Sequence, residues 1–134
     1  MKKNVWLLVL AATWILVQTT CHREEPAGEN TAETEARAIA DSLRDADKLR
    51  GWIQHFEARK KQKAALLIRQ RYGQVLRDKS DFEAAIKQHD TCIALAKNLK
   101  DTMQMIIAYN NQGTNFRRLG DLHGASNNHY AALE

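Results

Sequence analysis

Five residues return forty positions further along this chain. Gly73 recurs as Gly113, Arg77 as Arg117, Asp81 as Asp121, Ala85 as Ala125 and His89 as His129. Like-for-like pairs accompany them: Leu76 with Phe116, Phe82 with Leu122, Cys92 with Ala132 and Ile93 with Leu133. Repetition at this period means one supersecondary unit used twice. Such a unit cannot bury its apolar face alone and must stack on its neighbours.

The unit reads as a helical hairpin. Its first helix spans about 62–78 and places Ala65, Ile68, Tyr72, Val75 and Leu76 near one face. Gly73, with no side chain, lets the next helix come close. Lys79-Ser80-Asp81 is the turn, and Asp81 can cap the following helix by accepting its orphan backbone N–H groups. That helix, about 82–98, carries Phe82, Ala85, Ile86, His89, Cys92, Ile93 and Ala96 at the spacing of one helical face. Asp101-Thr102 opens a third helix, about 102–118, and Leu119-Gly120-Asp121 repeats the turn. The last helix starts near Leu122 and is expected still to be running at Glu134, which would leave the second unit incomplete with apolar surface bare. Upstream, 46–59 and 33–44 read as amphipathic helices, so residues 33–60 are expected to cap the stack. No strand-like alternation occurs after Thr31. The fold class is therefore all-α, with two hairpins over 61–134.

These residues resemble the tetratricopeptide repeat. Gly113, Phe116, Gly120-Asp121-Leu122, Ala125 and Ala132 follow that family's pattern in one unit, and Gly73, Leu76, Ser80-Asp81-Phe82, Ala85 and Cys92 in the other. Arg69, Gln112 and the 40-residue period depart from it. The resemblance implies a right-handed superhelical solenoid that binds a peptide or protein on its concave face. By position, that face holds Gln70, Gln74 and Arg77 beside Leu67 in one unit, and Asn110, Asn111, Thr114 and Arg117 beside Ile107 in the next. Amides and guanidinium groups there can hold a peptide backbone or a carboxylate. The whole segment, through its N-terminal signal-like run, the short helices after it and the stretch from Asn110 to Gly120, also resembles the start of exported bacterial proteins in which such repeats precede a membrane helix and a histidine-kinase or regulator output domain. A truncated sensory segment is thus the alternative to a free-standing scaffold.

The N-terminus reads as an export signal. Lys2 and Lys3 precede an uncharged, mostly apolar run from Val5 to Val17. That run is too short for a spanning helix of roughly 20 residues and right for a signal core of about 7 to 15. An uncleaved anchor is the competing reading. Cys21 stands where bacterial lipoproteins carry their lipid: Thr20 fits the preceding small position, while Gln18 departs from the usual Leu. Export to a periplasmic or outer-membrane location is expected, with the membrane as partner through that lipid. Residues 21–32 are polar, contain the only Pro and read as a flexible tether. Lipid on Cys21 would leave Cys92 without a disulfide partner.

Charge excludes little but directs some. Loss of residues 1–20 removes two lysines from a net charge of +4, leaving +4 − 2 = +2. The basic cluster Arg59-Lys60-Lys61-Gln62-Lys63 is read as a solvated helix end, and no broad basic face with stacking aromatics points to nucleic acid. No phosphate loop, dinucleotide fingerprint or His-Glu-x-x-His site occurs. His89 with Cys92 makes only two metal ligands where a structural zinc needs four. His89, repeated in register as His129, is instead expected at the interhelical seam. The chain is read as a binding scaffold with no catalytic group, cofactor or metal.

Overall fold

The computed structural model describes residues 27–134, with side chains from Thr31 onward. The expected signal over residues 1–20 and the expected lipid site at Cys21 lie outside the described residues. Among the described residues the chain is all-α, without strands. Six helices follow in order: α1 (Ala27–Ser42), α2 (Ala46–Ala58), α3 (Gln62–Asp78), α4 (Phe82–Leu99), α5 (Thr102–Arg118) and α6 (Leu122–Ala131).

The turns carry a shorter period than the side chains suggest. Lys60, Ser80, Lys100 and Gly120, each twenty residues from the last, all take positive φ, between 55° and 82°. At each turn the residue that follows returns its N–H to a carbonyl five positions back: Lys61 to Phe56, Asp81 to Leu76, Asp101 to Ala96 and Asp121 to Phe116. The positive-φ residue itself bonds the carbonyl three back. These paired bonds close the helix C-terminus and satisfy carbonyls that water would otherwise have to solvate. Asp81, Asp101 and Asp121 then open the next helix by accepting from the N–H of Ala84, Gln104 and Gly124. Lys61 has no such side-chain cap. The α1–α2 connection falls outside this series and uses Asp45, which accepts from Lys48 N–H.

From α2 to α6 each helix packs against its neighbour in sequence, and α1 lies against α3. Two apolar clusters result. The first joins α1, α2 and α3 through Ala36, Leu49, Ile53, Phe56, Ala64, Ala65 and Ile68. The second joins α3, α4 and α5 through Leu66, Cys92, Ile93, Ala96 and Ala108. Each fully buried Leu, Ile or Phe contributes on the order of 1.5–3 kcal/mol relative to exposure. α3 serves both clusters, with Ala65 and Ile68 on one side and Leu66 on the other, so an entire turn of it is dry.

Two expectations need correction. Residues 27–32, expected as tether, are the first turns of α1. Polar composition hid them: Ala32 packs on the first cluster and Glu33 pairs with Lys63 at 3.4 Å, so tertiary contact outweighs weak propensity. The last helix does not run on to Glu134. It stops at Ala131, and Leu133 N–H bonds Tyr130 O in a tighter i→i−3 turn.

Candidate functional site

The repeated Gly and His meet at the hairpin seam. A Cβ on Gly73 would stand 2.6 Å from His89 Nε2, and a Cβ on Gly113 would stand 2.8 Å from His129 Cε1. The glycines are therefore the flat floor on which each imidazole ring rests. An amide from the same first helix orients each ring: His89 Nδ1 donates to Gln70 Oε1 at 3.2 Å, and His129 Nδ1 donates to Asn110 Oδ1 at 3.3 Å. Gln70 and Asn110 are themselves forty residues apart, which adds a third member to the repeated set. His89 is 0% exposed. Desolvation, with the Arg77 charge adding to it, lowers its pKa to about 4. Cys92 on the same helix is equally dry, and burial pushes its thiol up to about 12. The pair is thus a protonated thiol and a neutral imidazole, held as core.

The first helix of each unit contributes to one open face, and there α1, α3 and α5 enclose a cleft of about 260 Å³. Leu67, Gln70, Gln74 and Ile107, all expected on the concave side, line it. The remaining wall was not foreseen. It brings in Arg37, Arg44 and Arg71, opposed by a single carboxylate, Asp41. Arg71 donates to Gln74 Oε1 at 2.9 Å, and Arg44 donates to Leu43 O at 3.0 Å at the end of α1. Arg37 is exposed and has no hydrogen-bond or ion-pair partner among the described residues.

The other candidates sit differently. Gln70 is buried and fully engaged: its Nε2 donates to Gln104 O at 3.0 Å while its Oε1 serves His89. Arg77 donates to Asn111 Oδ1 at 3.2 Å, so these two expected ligand contacts bind each other and join α3 to α5. Thr114 donates to Asn110 O within its own helix. Arg117 is exposed, lies beyond the cleft lining, and its side chain has no hydrogen-bond or ion-pair partner among the described residues. The structure therefore gathers Gln70 and Gln74 at the cleft and leaves Arg77, Asn110, Asn111, Thr114 and Arg117 outside it.

Arg69 was read as a departure from the repeat pattern; it is a clamp. Its guanidinium donates to Glu57 Oε1 on α2 at 2.5 Å and to Gln88 Oε1 on α4 at 2.7 Å. Gln112, another departure, donates to Asp90 Oδ1 from α5 to α4 at 2.5 Å. Arg37 and Arg44 were legible only as two basic residues seven apart within the expected 33–44 helix, a spacing that shares a face; in the structure Arg44 stands just past the end of α1. Nothing in the sequence ties that face to Arg71.

Two further hollows border α2. One, about 330 Å³, is walled by Leu43, Lys48, Gly51, Trp52 and His55; the other, about 500 Å³, by residues of α1 and α2 including Glu35, Phe56 and Arg59. Neither draws residues from α3 or α5, which hold the amides of the cleft. Among the described residues no group of three or more His, Cys, Asp or Glu can hold a metal, and no helix is long and apolar enough to cross a membrane. No family model, curated protein or solved structure matches the chain.

Proposed function

We propose that this chain is an exported helical-repeat scaffold, of tetratricopeptide-like architecture, that binds an acidic segment of a peptide or protein on the face formed by α1, α3 and α5. The observation that carries the reading is the cleft itself, where three guanidinium groups face one carboxylate and Gln74 and Gln104 stand beside them. Planar guanidiniums favour carboxylates through paired N–H donors, and the amides suit a peptide backbone. An extended chain entering there meets Leu67 and Ile107 as apolar floor. Lipid on Cys21 anchors the scaffold to a membrane. Substitution Cys21→Ala then releases the protein to the soluble fraction.

Titration of a fluorescein-labelled hexaglutamate peptide tests the cleft. Binding is expected to weaken about tenfold or more in the Arg37→Glu/Arg71→Glu variant, and to fall with added salt. The Arg77→Glu/Arg117→Glu variant is expected to change it far less, because those residues lie outside the cleft. Equal losses in both variants, or no binding by the parent chain, would refute the placement.

A further inference from the structure

Lys63 shows which parts of the fold share an end. Its Nζ stands 3.4 Å from Glu33 of α1 and 3.6 Å from Asp101, the cap of α5. The first turns of α1, the α2–α3 turn and the α4–α5 turn therefore lie together. The hollow that Thr31 and Ala32 share with Arg59 and Lys61 repeats that placement. The chain thus enters the described fold at this end. Cys21 stands six residues before Ala27, a reach of at most about 20 Å.

The same end collects unpaired positive charge. Lys63 takes up Glu33 and Asp101, and Arg69 takes up Glu57. Arg59, Lys60, Lys61, Lys97 and Lys100 stand in no ion pair among the described residues, and all but Lys61 are exposed. Glu35, on the wall of the same hollow as Arg59, opposes them. The sequence displays only the cluster at 59–63; folding brings Lys97 and Lys100 to it. Lys60 and Lys100 hold positive φ, 57° and 55°, where the equivalent points of the opposite end hold Ser80 and Gly120. The left-handed region favours glycine, so backbone conformation does not account for two lysines at these tips. Met103, in the first turn of α5, adds an apolar side chain at this end and is 63% exposed.

We propose that this end of the stack lies on a membrane: Arg59, Lys60, Lys61, Lys97 and Lys100 meet anionic phospholipid headgroups, and Met103 enters the interface. The membrane as partner rests on the anchoring reading above; which end faces it is decided by the charges. A basic patch and a lipid chain act as two signals, each weak and reversible alone. The patch therefore supplements the lipid and does not replace it. The exposed Met103 favours a lipid surface over a soluble polyanion, which gives an apolar side chain nothing to enter. The helices then stand end-on to the membrane, and the cleft of α1, α3 and α5 opens sideways, free to receive its ligand.

Vesicle sedimentation tests the patch, with the full chain carrying Cys21→Ala so that no lipid contributes. The vesicles are equal parts phosphatidylglycerol and phosphatidylcholine, or phosphatidylcholine alone. Association with the anionic vesicles is expected, and it should fall with added salt. Lys60→Gln/Lys100→Gln should weaken it about tenfold or more. Lys79→Gln/Arg118→Gln, which removes the same charge at the opposite end, should leave it within about twofold. Met103→Ser should weaken it about threefold. Circular dichroism checks that each variant keeps its helix content. Lys60→Gln/Lys100→Gln should keep the parent's hexaglutamate affinity within about twofold, which separates this surface from the cleft. Fractionation of the parent against Cys21→Ala reports the lipid anchor separately, so that reading can fail while the patch stands. Equal association with phosphatidylcholine alone overturns the proposal, and so do equal losses in the two charge-removal pairs. Binding of a single-stranded oligonucleotide through the same lysines, without vesicle association, overturns it too.

Discussion

His89 and His129 occupy the same point of successive hairpins, over a glycine and beside an amide, yet one is sealed and the other open to water. The difference lies in what comes next. α5 closes over the first seam and Gln70 is shared between His89 and the Gln104 carbonyl. At the second seam Asn110 serves His129 alone. The lesson is that a repeat encodes a pair of complementary faces, and burial of its repeated groups is a property of the neighbour. A second contrast runs against intuition. Where the first unit places buried Val75, the second places Asn115, fully buried with neither amide atom hydrogen-bonded.

The largest expected effect sharpens the seam contrast. His89→Ala removes a fully buried ring and strands the Gln70 oxygen, and should cost about 3 kcal/mol in urea unfolding. His129→Ala, at an exposed site, should stay within about 0.5 kcal/mol. Equal costs would break the comparison.

Acid should act through the same residue. Because the folded pKa of His89 lies at about 4, below the ordinary 6.5, the unfolded chain binds the proton more readily. Stability is therefore full above about pH 6.5 and declines as pH falls toward 4, by up to about 3 kcal/mol, with no further loss from this group below that. In His89→Gln that decline should largely vanish from a pH series of unfolding midpoints.

Asn115→Val copies the first unit's residue into the second. It removes two orphaned polar atoms and should stabilise the chain by about 1–2 kcal/mol, read as a rise in melting temperature. A destabilised variant would mean that Asn115 has a partner in solution.

The smallest effect lies in the turns. Ser80 and Gly120 hold the same positive φ at equivalent points, 64° and 82°. Ser80→Gly should stabilise, and Gly120→Ser destabilise, each by about 0.5–1 kcal/mol, since a Cβ is strained in the left-handed region. Exchange of both in one chain should nearly cancel.

Much of the helix layout was legible because local rules agree with one another. Capping aspartates, the 3.6-residue apolar period and the Gly–His repeat all mark the same hairpins, and α3 and α5 lie where the pattern predicts them. The twenty-residue turn period was missed because Lys60, Ser80 and Lys100 do not look like left-handed residues; only Gly120 does. The start of α1 was missed because its first turns are polar and gain their helix from packing on α3. Of the expected contact residues, Gln70 and Gln74 reach the cleft. Arg77 and Asn111 satisfy each other, a pairing between helices 34 residues apart that no one-dimensional spacing reveals.

The sequence by itself determined where the four inner helices begin and end to within a residue and which of their faces are apolar, because capping, turn chemistry and periodicity act within a few residues. Tertiary structure alone decided that Arg37, Arg44 and Arg71 converge, that Arg69 ties three helices together and that one repeated histidine is dry while its twin is wet. Those outcomes depend on which helix lies across which, and the energy that sets it comes from apolar surface shared between elements far apart in the chain.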